Sequence, residues 1–366
     1  MKRTRLLEID FARGLALVIM FLSHVDAKIN PYAMGAEGLY GTYPIYENLY
    51  SFMVRFVQVP AIMAFFILAG MSIGIQMYLQ ERKQKKISGL FSRGVLLIVV
   101  QLTIISLGWW LLYFSSNLFI TAGVLIAFGV SFMCMHFIVK WLHPYTIGLI
   151  GFSMLMIREW FSVDFISTTS TTYNYFVRTF FISGSEGIVS WYYPVYSWLA
   201  VIMMGCAIGY WYVKTVELEK YNHVYAWVAT CAALVLWWLV RANTQFGNFN
   251  EIHDGSVLGM LTLSKYPPSV MFCFLGIILG AFWVIVGRYS WVQKVSQSVI
   301  YLGQNSLQTY MIHLYVIALL YYVLNLFTEV TDSMVPIYTF AMVVMTWVSV
   351  VCIIYYIKKV TILLKK

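Results

Sequence analysis

The chain has 366 residues, of which 61% are hydrophobic and only 11% are charged, and its mean hydropathy is +0.77. Soluble domains carry about 25% charged residues, so this composition excludes an ordinary soluble protein and indicates a polytopic membrane protein. The net charge of +9 does not indicate a nucleic-acid partner, because the basic residues form short clusters between apolar segments instead of one basic surface.

Ten apolar segments are long enough to cross a lipid bilayer, which takes about 20 residues of helix. They predict an all-α polytopic membrane protein with about ten transmembrane helices, built as a single domain over residues 1–366. The segments are 9–26, 58–79, 93–114, 118–139, 145–162, 194–213, 223–241, 269–287, 302–327 and 335–357.

The basic residues predict the orientation of these segments. Most Lys and Arg residues lie in the connections 80–92, 140–144, 214–222 and 288–301 and in the C-terminal tail. Connections rich in Lys and Arg face the cytoplasm, and an even number of segments then places both termini there. We expect a multi-pass protein of a bacterial cytoplasmic membrane, either a monomer or a homo-oligomer in the lipid bilayer.

Three long connections then face the opposite side. They are residues 27–57, which are rich in tyrosine, residues 163–193, and residues 242–268, which contain the polar run 248–254. Such a surface suits a saccharide or another polar acceptor outside the cytoplasm. It suits interfacial aromatic belts with ordinary loops equally well.

The first apolar segment contains Arg13 and His24, although ionisable side chains in hydrocarbon are costly and are usually functional. A separation of eleven residues, at about 100° per residue, puts both side chains on one helix face, about 16 Å apart along the axis. The segment therefore predicts a path through the membrane, with a cation near the cytoplasm and an imidazole nearer the other side.

Each ionisable residue of this segment has two interpretations. His24 is suited to act as a general base, or it forms a structural hydrogen bond to a neighbouring helix. Arg13 is suited to bind the phosphates of a cytoplasmic co-substrate, or it pairs with Asp10 three residues earlier. Asp26 can orient His24 only if the helix ends close to it.

Polar residues also open the third and the eighth segments. Arg93 begins the third segment, where it either binds phosphate or is a positive-inside residue. Lys265 and Tyr266 precede the eighth segment. Lys265 either binds an anionic group or anchors the helix at the membrane interface.

The ninth segment contains the second intramembrane histidine, His313, after a polar lead-in that includes Asn305 and Ser306. Because these groups are expensive in lipid, the lead-in predicts that this end of the helix faces a cavity. His313 either lines a site there or makes a structural hydrogen bond.

Several kinds of chemistry lack support in the sequence. The five cysteines lie in apolar runs without paired spacing, so neither a disulfide framework nor a metal site is predicted. No Walker-type glycine-rich loop, His-Glu-x-x-His motif or Gly-x-Ser-x-Gly motif is present. These absences give no support to ATP-driven transport, zinc proteolysis or α/β-hydrolase chemistry.

Several motifs together resemble membrane acyltransferases. Residues 5–16 and the Arg-x10-His spacing are similar to the first-helix signature of acyltransferase family three. The rest of the chain resembles the bacterial relatives of heparan-α-glucosaminide N-acetyltransferase, in the stretches 59–70, 193–198, 265–269 and 303–313. These stretches are spread over most of the chain and follow the family's order.

The resemblance implies transfer of an acyl group, usually acetyl, from cytoplasmic acyl-CoA to an extracytoplasmic acceptor, often a sugar such as a cell-envelope glycan. It implies that His24 is the general base or a transient acyl carrier, and that Arg13 holds the acyl-CoA phosphates. The remaining assignments are catalysis for Asp26, His313 and Asn305, acyl-CoA binding for Asp10, Arg93 and Ser306, and acceptor binding for Lys265 and Tyr266.

The chain departs from the family pattern at two places. No histidine lies between His24 and His136, where the lysosomal branch carries a loop histidine. The Arg-x-x-Arg motif of family three is missing around 86–93, where Lys86 and Arg93 are loose substitutes. The lysosomal mechanism therefore does not carry over directly.

Two other classes compete with the enzyme. Intramembrane His and Asp residues are also the parts of a proton relay, as in a proton-coupled secondary transporter or flippase, but the sequence shows no internal repeat or matched pair of broken helices. A non-catalytic membrane scaffold leaves the polar residues of two segments unexplained.

Overall fold

The computed structural model describes residues 6–37, 44–82, 89–113, 120–160, 169–244, 246–247, 256–328 and 330–363. These residues are predominantly helical. In chain order the helices are α1 Leu7–Ile29, α2 Ala33–Glu37, α3 Leu49–Glu81, α4 Leu90–Val100, α5 Ser106–Tyr113, α6 Val124–Trp141, α7 Pro144–Ile157, α8 Thr171–Phe180, α9 Val195–Glu217, α10 His223–Asn243, α11 Val257–Leu261, α12 Val270–Gly287, α13 Ser290–Val295, α14 Gln297–Gln304, α15 Ser306–Asn325 and α16 Val335–Leu363.

Eight helical stretches of the described chain are long and apolar enough to cross a membrane. They are α3, the joined α4 and α5, α6, α9, α10, α12, α15 and α16. Two further helices complete the ten segments that the sequence predicts: α1, which has 23 residues but carries several charges, and α7, which is apolar but has only 14 residues. The prediction of an all-α polytopic membrane protein is confirmed.

Helix α1 lies inside the bundle, in contact with α3, α12, α14, α15 and α16. Its charged first turn finds protein partners there. The hydroxyl of Tyr212 donates to Glu8 Oε1 at 2.6 Å, and Arg288 donates to that hydroxyl at 2.7 Å. Because a buried charge is costly unless it is paired and hydrogen-bonded, this network allows a charged helix to occupy the centre of an apolar bundle.

Glycines bring two pairs of helices into backbone contact. On α3 and α9, Gly70 and Gly74 face Gly205 and Gly209, and a Cβ atom on any of the four would overlap a carbonyl of the other helix. This reciprocal pair of Gly-x-x-x-Gly motifs is the close packing that small residues permit in membranes. On α1, Gly14 lies against the carbonyl of Val299 in α14 in the same way.

Two of the predicted segments are interrupted. The third becomes α4 and α5, separated by a π-helical turn at Gln101–Ile105, where the Gln101 amide donates to the carbonyl of Thr121 at 3.1 Å. The ninth, predicted as one span over 302–327, is divided between α14 and α15 at Asn305. The polar lead-in therefore forms a helix break instead of the start of a continuous span.

Two short strands lie in the predicted connection 163–193, and a third lies at the start of the predicted segment 118–139, whose helix α6 begins only at Val124. A three-stranded sheet has the order β1 (Ile120–Ala122), β3 (Val189–Trp191), β2 (Gly184–Glu186). The strand β1 runs parallel to β3, with Ile120 opposite Val189, and β2 runs antiparallel to β3. The polar run 248–254 and the basic residues Lys83, Lys85 and Lys86 lie outside the described residues.

Candidate active site

A cavity of about 810 Å³ extends through the bundle. At one end its wall contains Arg93 at the start of α4, on the side where the basic residues place the cytoplasm. Arg13 and His24 line its length, and Glu37 and Lys265 line the opposite end. The cavity wall therefore includes ionisable groups from both ends of the helical bundle and from between them.

Arg13 is held against α3 toward the end that the basic residues predict to be cytoplasmic. Its guanidinium donates to the Ser72 hydroxyl and to the carbonyl of Leu68 at 3.4 Å, and Nη1 lies 3.6 Å from Asp10 Oδ1. Its side chain remains 23% exposed and faces the cavity. The ion pair with Asp10 and a place on the cavity wall thus occur together, although they were alternatives in the sequence.

The other residues assigned to acyl-CoA binding divide into two groups. Arg93 is exposed and Ser306 half-buried, and both line the cavity. Asp10 is only 2% exposed and lies behind Arg13 as its ion-pair partner, outside the cavity wall. Asp10 is therefore in position to hold the Arg13 side chain, and Arg93 and Ser306 are in position to contact a molecule in the cavity.

The two intramembrane histidines form a pair. His24 Nδ1 lies 2.7 Å from His313 Nε2, and their rings are stacked with centroids 5.0 Å apart. Trp109 meets the His24 ring edge-on at 4.7 Å, and Phe21 stacks on His313 at 5.5 Å. A hydrogen bond between two imidazoles needs one donor and one acceptor, so the pair shares one proton across this contact.

The histidine pair leaves one nitrogen for the cavity. His313 is completely buried, whereas His24 is half-buried and forms part of the cavity wall. Since His24 Nδ1 is occupied by His313, Nε2 is the atom of His24 that can accept a proton from a molecule in the cavity. Next to it, the Ser23 hydroxyl donates to Gln58 Oε1 at 3.0 Å, which leaves the Gln58 amide NH2 as a donor on the same wall.

The structure does not bring Asp26 or Asn305 to His24. Helix α1 continues to Ile29, so Asp26 lies on another face, where it accepts hydrogen bonds from Tyr50 at 3.0 Å and from Asn30 at 3.2 Å. The Asn305 amide donates to the carbonyl of Tyr301 at 2.7 Å, across the helix break. Both side chains have structural partners here.

At the outer end, Lys265 meets an acidic residue that the sequence did not single out. Its Nζ lies 3.1 Å from Glu37 Oε2, and Arg55 Nε lies 3.9 Å from the same oxygen. Tyr266 and Tyr193 are joined through their hydroxyls at 3.0 Å, and both line the cavity. The two residues assigned to the acceptor, Lys265 and Tyr266, therefore share one wall.

Burial and neighbouring charges change the acidity of this outer group. Burial lowers the pKa of Lys265 to about 8; Glu37 opposes that change and Arg55 adds to it. Burial raises the pKa of Glu37, but the charges of Lys265 and Arg55 outweigh burial and hold that pKa below its ordinary value. The carboxylate is therefore charged at neutral pH, beside two cations.

The connection that carries Lys265 is a compact turn. The Ser264 hydroxyl donates to the carbonyl of Pro267 at 3.1 Å, and Lys265 pairs with Pro268 as an isolated bridge. The Ser269 hydroxyl then caps α12 by accepting from the amide of Phe272 at 3.2 Å. These local bonds place the Lys265 side chain over the outer end of the cavity.

Several cavity residues were missed from the sequence. Gln58 and Ser72 are polar residues inside the apolar segment 58–79, and that signal could have marked them. Glu37 and Trp109 gave no comparable signal, since one lies in a predicted connection and the other resembles any apolar residue of a span. Among the described residues, no group of three or more His, Cys, Asp and Glu side chains could hold a metal ion.

Comparison with known proteins identifies the family. No curated protein matches the chain in sequence. A family model described as an acyltransferase domain, that of acyltransferase family three, matches residues 6–354. That range covers nearly the whole chain, and it includes the first helix and both ends of the cavity. The protein therefore belongs to this family of acyltransferases.

Proposed function

We propose that the protein transfers an acyl group, acetyl in the form we favour, from cytoplasmic acyl-CoA to a polar acceptor on the opposite side of the membrane. A sugar or a cell-envelope glycan of a bacterial cytoplasmic membrane is the acceptor we favour. The observation that carries the proposal is that one cavity has Arg13, His24 and Lys265 along its wall. A donor and an acceptor can thus approach the same imidazole from opposite ends.

The donor enters at the cytoplasmic end in this proposal. Arg13 and Arg93 bind the phosphates of acyl-CoA, because guanidinium groups form paired, charge-assisted hydrogen bonds to phosphate. The pantetheine arm follows the face of α1 for the distance of about 16 Å that separates Arg13 from His24 along the helix. Ser306 lines this path, and the thioester lies beside the His24 imidazole.

The chemistry uses the free nitrogen of His24. Its Nε2 takes the proton of the acceptor hydroxyl or amine as that group attacks the thioester carbonyl. The new acyl bond forms, the carbon–sulfur bond breaks, and the coenzyme A thiolate leaves and is protonated by the His24 imidazolium. The Gln58 amide is suited to donate to the developing oxyanion, a role that the sequence alone assigned to Asn305 and His313.

His313 acts through His24. Its contact with Nδ1, at 2.7 Å, orients the ring so that Nε2 faces the cavity, as a second group orients the base in other acid–base sites. A route in which Nε2 itself carries the acyl group uses the same atoms. The closer likeness to bacterial relatives of heparan-α-glucosaminide N-acetyltransferase stays a prediction.

Label transfer tests this function. Purified protein in liposomes is given acetyl-CoA labelled in the acetyl group, together with an envelope glycan extract on the other side. We expect label in the glycan with wild type, and a loss of about 10²- to 10⁴-fold with His24→Ala, the usual contribution of a general base. His136→Ala is the matched control, because His136 is half-buried near the end of α6 and lies outside the cavity wall, so this variant should transfer normally.

Each result of that experiment has a defined meaning. If wild type neither binds acetyl-CoA nor releases its acetyl group, the enzyme function is wrong, and proton-coupled transport across the same cavity becomes the leading alternative. If His24→Ala transfers at the full rate, the assigned base is wrong although the class stands. Label that remains on acid-quenched wild-type protein, and is absent from His24→Ala, indicates the acyl-histidine route.

A further inference from the structure

The outer end of the cavity has more positive than negative charge, and from this we infer that the acceptor is an acidic saccharide. We propose that Lys265 binds its carboxylate or phosphate group, while Arg55 holds Glu37. The inference rests on the proposed function in one respect, which is that the ligand bound at this end is the acyl acceptor. It adds the chemical class of that acceptor.

The charge count is made from three buried side chains. Lys265 and Arg55 are only 7% and 4% exposed, and both face one oxygen of Glu37, which is 14% exposed. Two cations and one carboxylate leave a net charge of +1 in this group. Burying an unbalanced charge is expensive, so an anion in the cavity would stabilise the arrangement.

The guanidinium of Arg55 has unused hydrogen-bond donors among the described residues. None of its three guanidinium nitrogens makes a hydrogen bond to the part of the chain that the structure describes, and its nearest acidic atom is Glu37 Oε2 at 3.9 Å. A buried donor without an acceptor carries the full cost of desolvation. A closer approach of Glu37 to Arg55 would relieve that cost and release Lys265.

No other described acid neutralises the group. The carboxylate of Asp26 accepts hydrogen bonds from Tyr50 and Asn30, and Glu37 is the one carboxylate that the described part of the chain pairs with Lys265 or Arg55. Lys265 Nζ also lies over the Tyr266 ring, 4.7 Å from its centroid, and that contact leaves its charge in place. An anionic ligand is therefore the complementary partner for this wall.

The same wall can hold a sugar ring. Tyr192, Tyr193 and Tyr266 all line this end, with the Tyr192 and Tyr266 rings 5.9 Å apart. Aromatic faces with a few placed polar groups are typical of small-molecule sites. Lys265 and His24 line the same cavity, so a sugar whose anionic group meets Lys265 can present a hydroxyl toward the base.

The arrangement predicts an exchange of partners when the acceptor binds. Lys265 turns from Glu37 to the incoming anion, and Glu37 stays with Arg55. The three protein charges and the ligand charge then form two ion pairs, and the net charge of the group becomes zero. The sharing of one carboxylate by two cations permits this exchange, because Glu37 keeps a cationic partner when Lys265 turns away.

Ligand-dependent thermal stability tests the inference without the need for catalysis. The probes are glucuronate, glucose 6-phosphate and glucose, each titrated at constant ionic strength with purified protein in detergent. Saturating coenzyme A is present so that the cytoplasmic cations are occupied. A ligand that binds the native state raises the melting temperature with its concentration. We expect a dissociation constant at least tenfold lower for one of the acidic sugars than for glucose.

Variants assign that preference to the outer end. Lys265→Gln should bind the acidic sugar no better than glucose, whereas Lys265→Arg should keep the preference. Lys294→Gln, a change on the cytoplasmic side in α13, should behave as wild type. Each variant is compared with its own melting temperature without ligand. If Lys265→Gln does not fold, the comparison of acidic with neutral sugars in the wild-type protein still tests whether the site prefers an anion.

The outcomes separate the sources of the anion and the two proposals. A preference for glucuronate alone indicates a uronic acid, a preference for glucose 6-phosphate alone indicates a phosphorylated sugar, and both together indicate an anion site of broad specificity. Equal binding of all three sugars, or a preference that survives in Lys265→Gln, overturns the inference. If the acceptor is not acidic, label transfer from acetyl-CoA is unaffected. Failure of this inference is therefore distinguishable from failure of the proposed function.

Discussion

The two ends of the cavity are held in different ways. At the predicted cytoplasmic end, Arg13 lies on α1, and the backbone of α1 contacts α14 at Gly14. The guanidinium of Arg13 donates a hydrogen bond to Ser72 of α3. At the outer end, Lys265 lies in a connection and is held by Glu37, the last residue of a five-residue helix. Backbone packing fixes the first end, and ion pairs between side chains fix the second.

This difference suits an enzyme with one donor and a particular acceptor. Close-packed helices tolerate little movement, so the position of Arg13 is determined by the bundle itself. Connections outside the bundle vary more readily in sequence and carry specificity on a constant scaffold. We therefore expect substitutions at the cytoplasmic end to change acyl-CoA binding, and substitutions at the outer end to change acceptor binding.

The largest expected effect is at Arg13. Arg13→Gln should raise the KM for acetyl-CoA by about 10- to 100-fold, because a hydrogen bond to a charged group contributes about 1.5–3 kcal/mol. The KM for the acceptor should not change, and steady-state kinetics with each substrate varied in turn measures both. The reverse pattern is expected for Lys265→Gln. If each variant raised both KM values together, the two ends would not be separate sites.

The next effect tests how the cytoplasmic end is held. Gly14→Ala places a Cβ atom against the carbonyl of Val299, and overpacking of this kind costs about 1–3 kcal/mol. We expect a lower melting temperature and a higher KM for acetyl-CoA. Gly280→Ala is the matched control, because its added Cβ would meet Ala64 at an ordinary distance of 3.6 Å. Equal melting temperatures for the two variants would contradict the role of backbone contact.

The outer end should respond to pH. The pKa of Lys265 is lowered to about 8, so its charge is present at pH 7 and is lost as pH rises through 8. At pH 9 about one tenth remains charged, and the preference for acidic over neutral acceptor should fall by about tenfold. The groups facing Lys265 are Glu37, Arg55 and Tyr266, and the lowered pKa of Glu37 keeps its carboxylate charged over this range.

The measurement is the ratio of KM values for an acidic and a neutral acceptor, because effects of pH on His24 apply to both and cancel. Lys265→Arg should make the ratio independent of pH between 7 and 9, since arginine remains charged. The ratio of KM for the acidic acceptor to KM for the neutral one should therefore rise with pH in wild type, and an equal rise in Lys265→Arg would assign the titration to another group.

The smallest effect is expected at Asn305. Its amide bonds to the carbonyl of Tyr301, so Asn305→Ala should cost about 0.5–1.5 kcal/mol of stability, the net value of an ordinary hydrogen bond. Both KM values and kcat should stay close to wild type. A large fall in kcat with an unchanged melting temperature would restore the catalytic role that the sequence assigned to Asn305.

The sequence predicted part of this site for local reasons. The spacing of Arg13 and His24 put them on one helix face, and both line the same cavity. It could not separate the alternatives for Asp26, because the outcome depended on whether α1 continued past that residue. It also could not assign Asn305, since a polar lead-in is compatible with a cavity wall and with a helix break.

By itself, the sequence determined the class of fold, an all-α polytopic membrane protein, because this class depends on apolar length along the chain; the orientation of the segments stays a prediction from the basic residues. Only the tertiary structure decided which side chains pair with one another in the cavity. His24 meets His313 from 289 positions away, and Lys265 meets Glu37 from 228 positions away. No local pattern encodes such pairs, because they arise from helix packing that brings distant segments to one cavity.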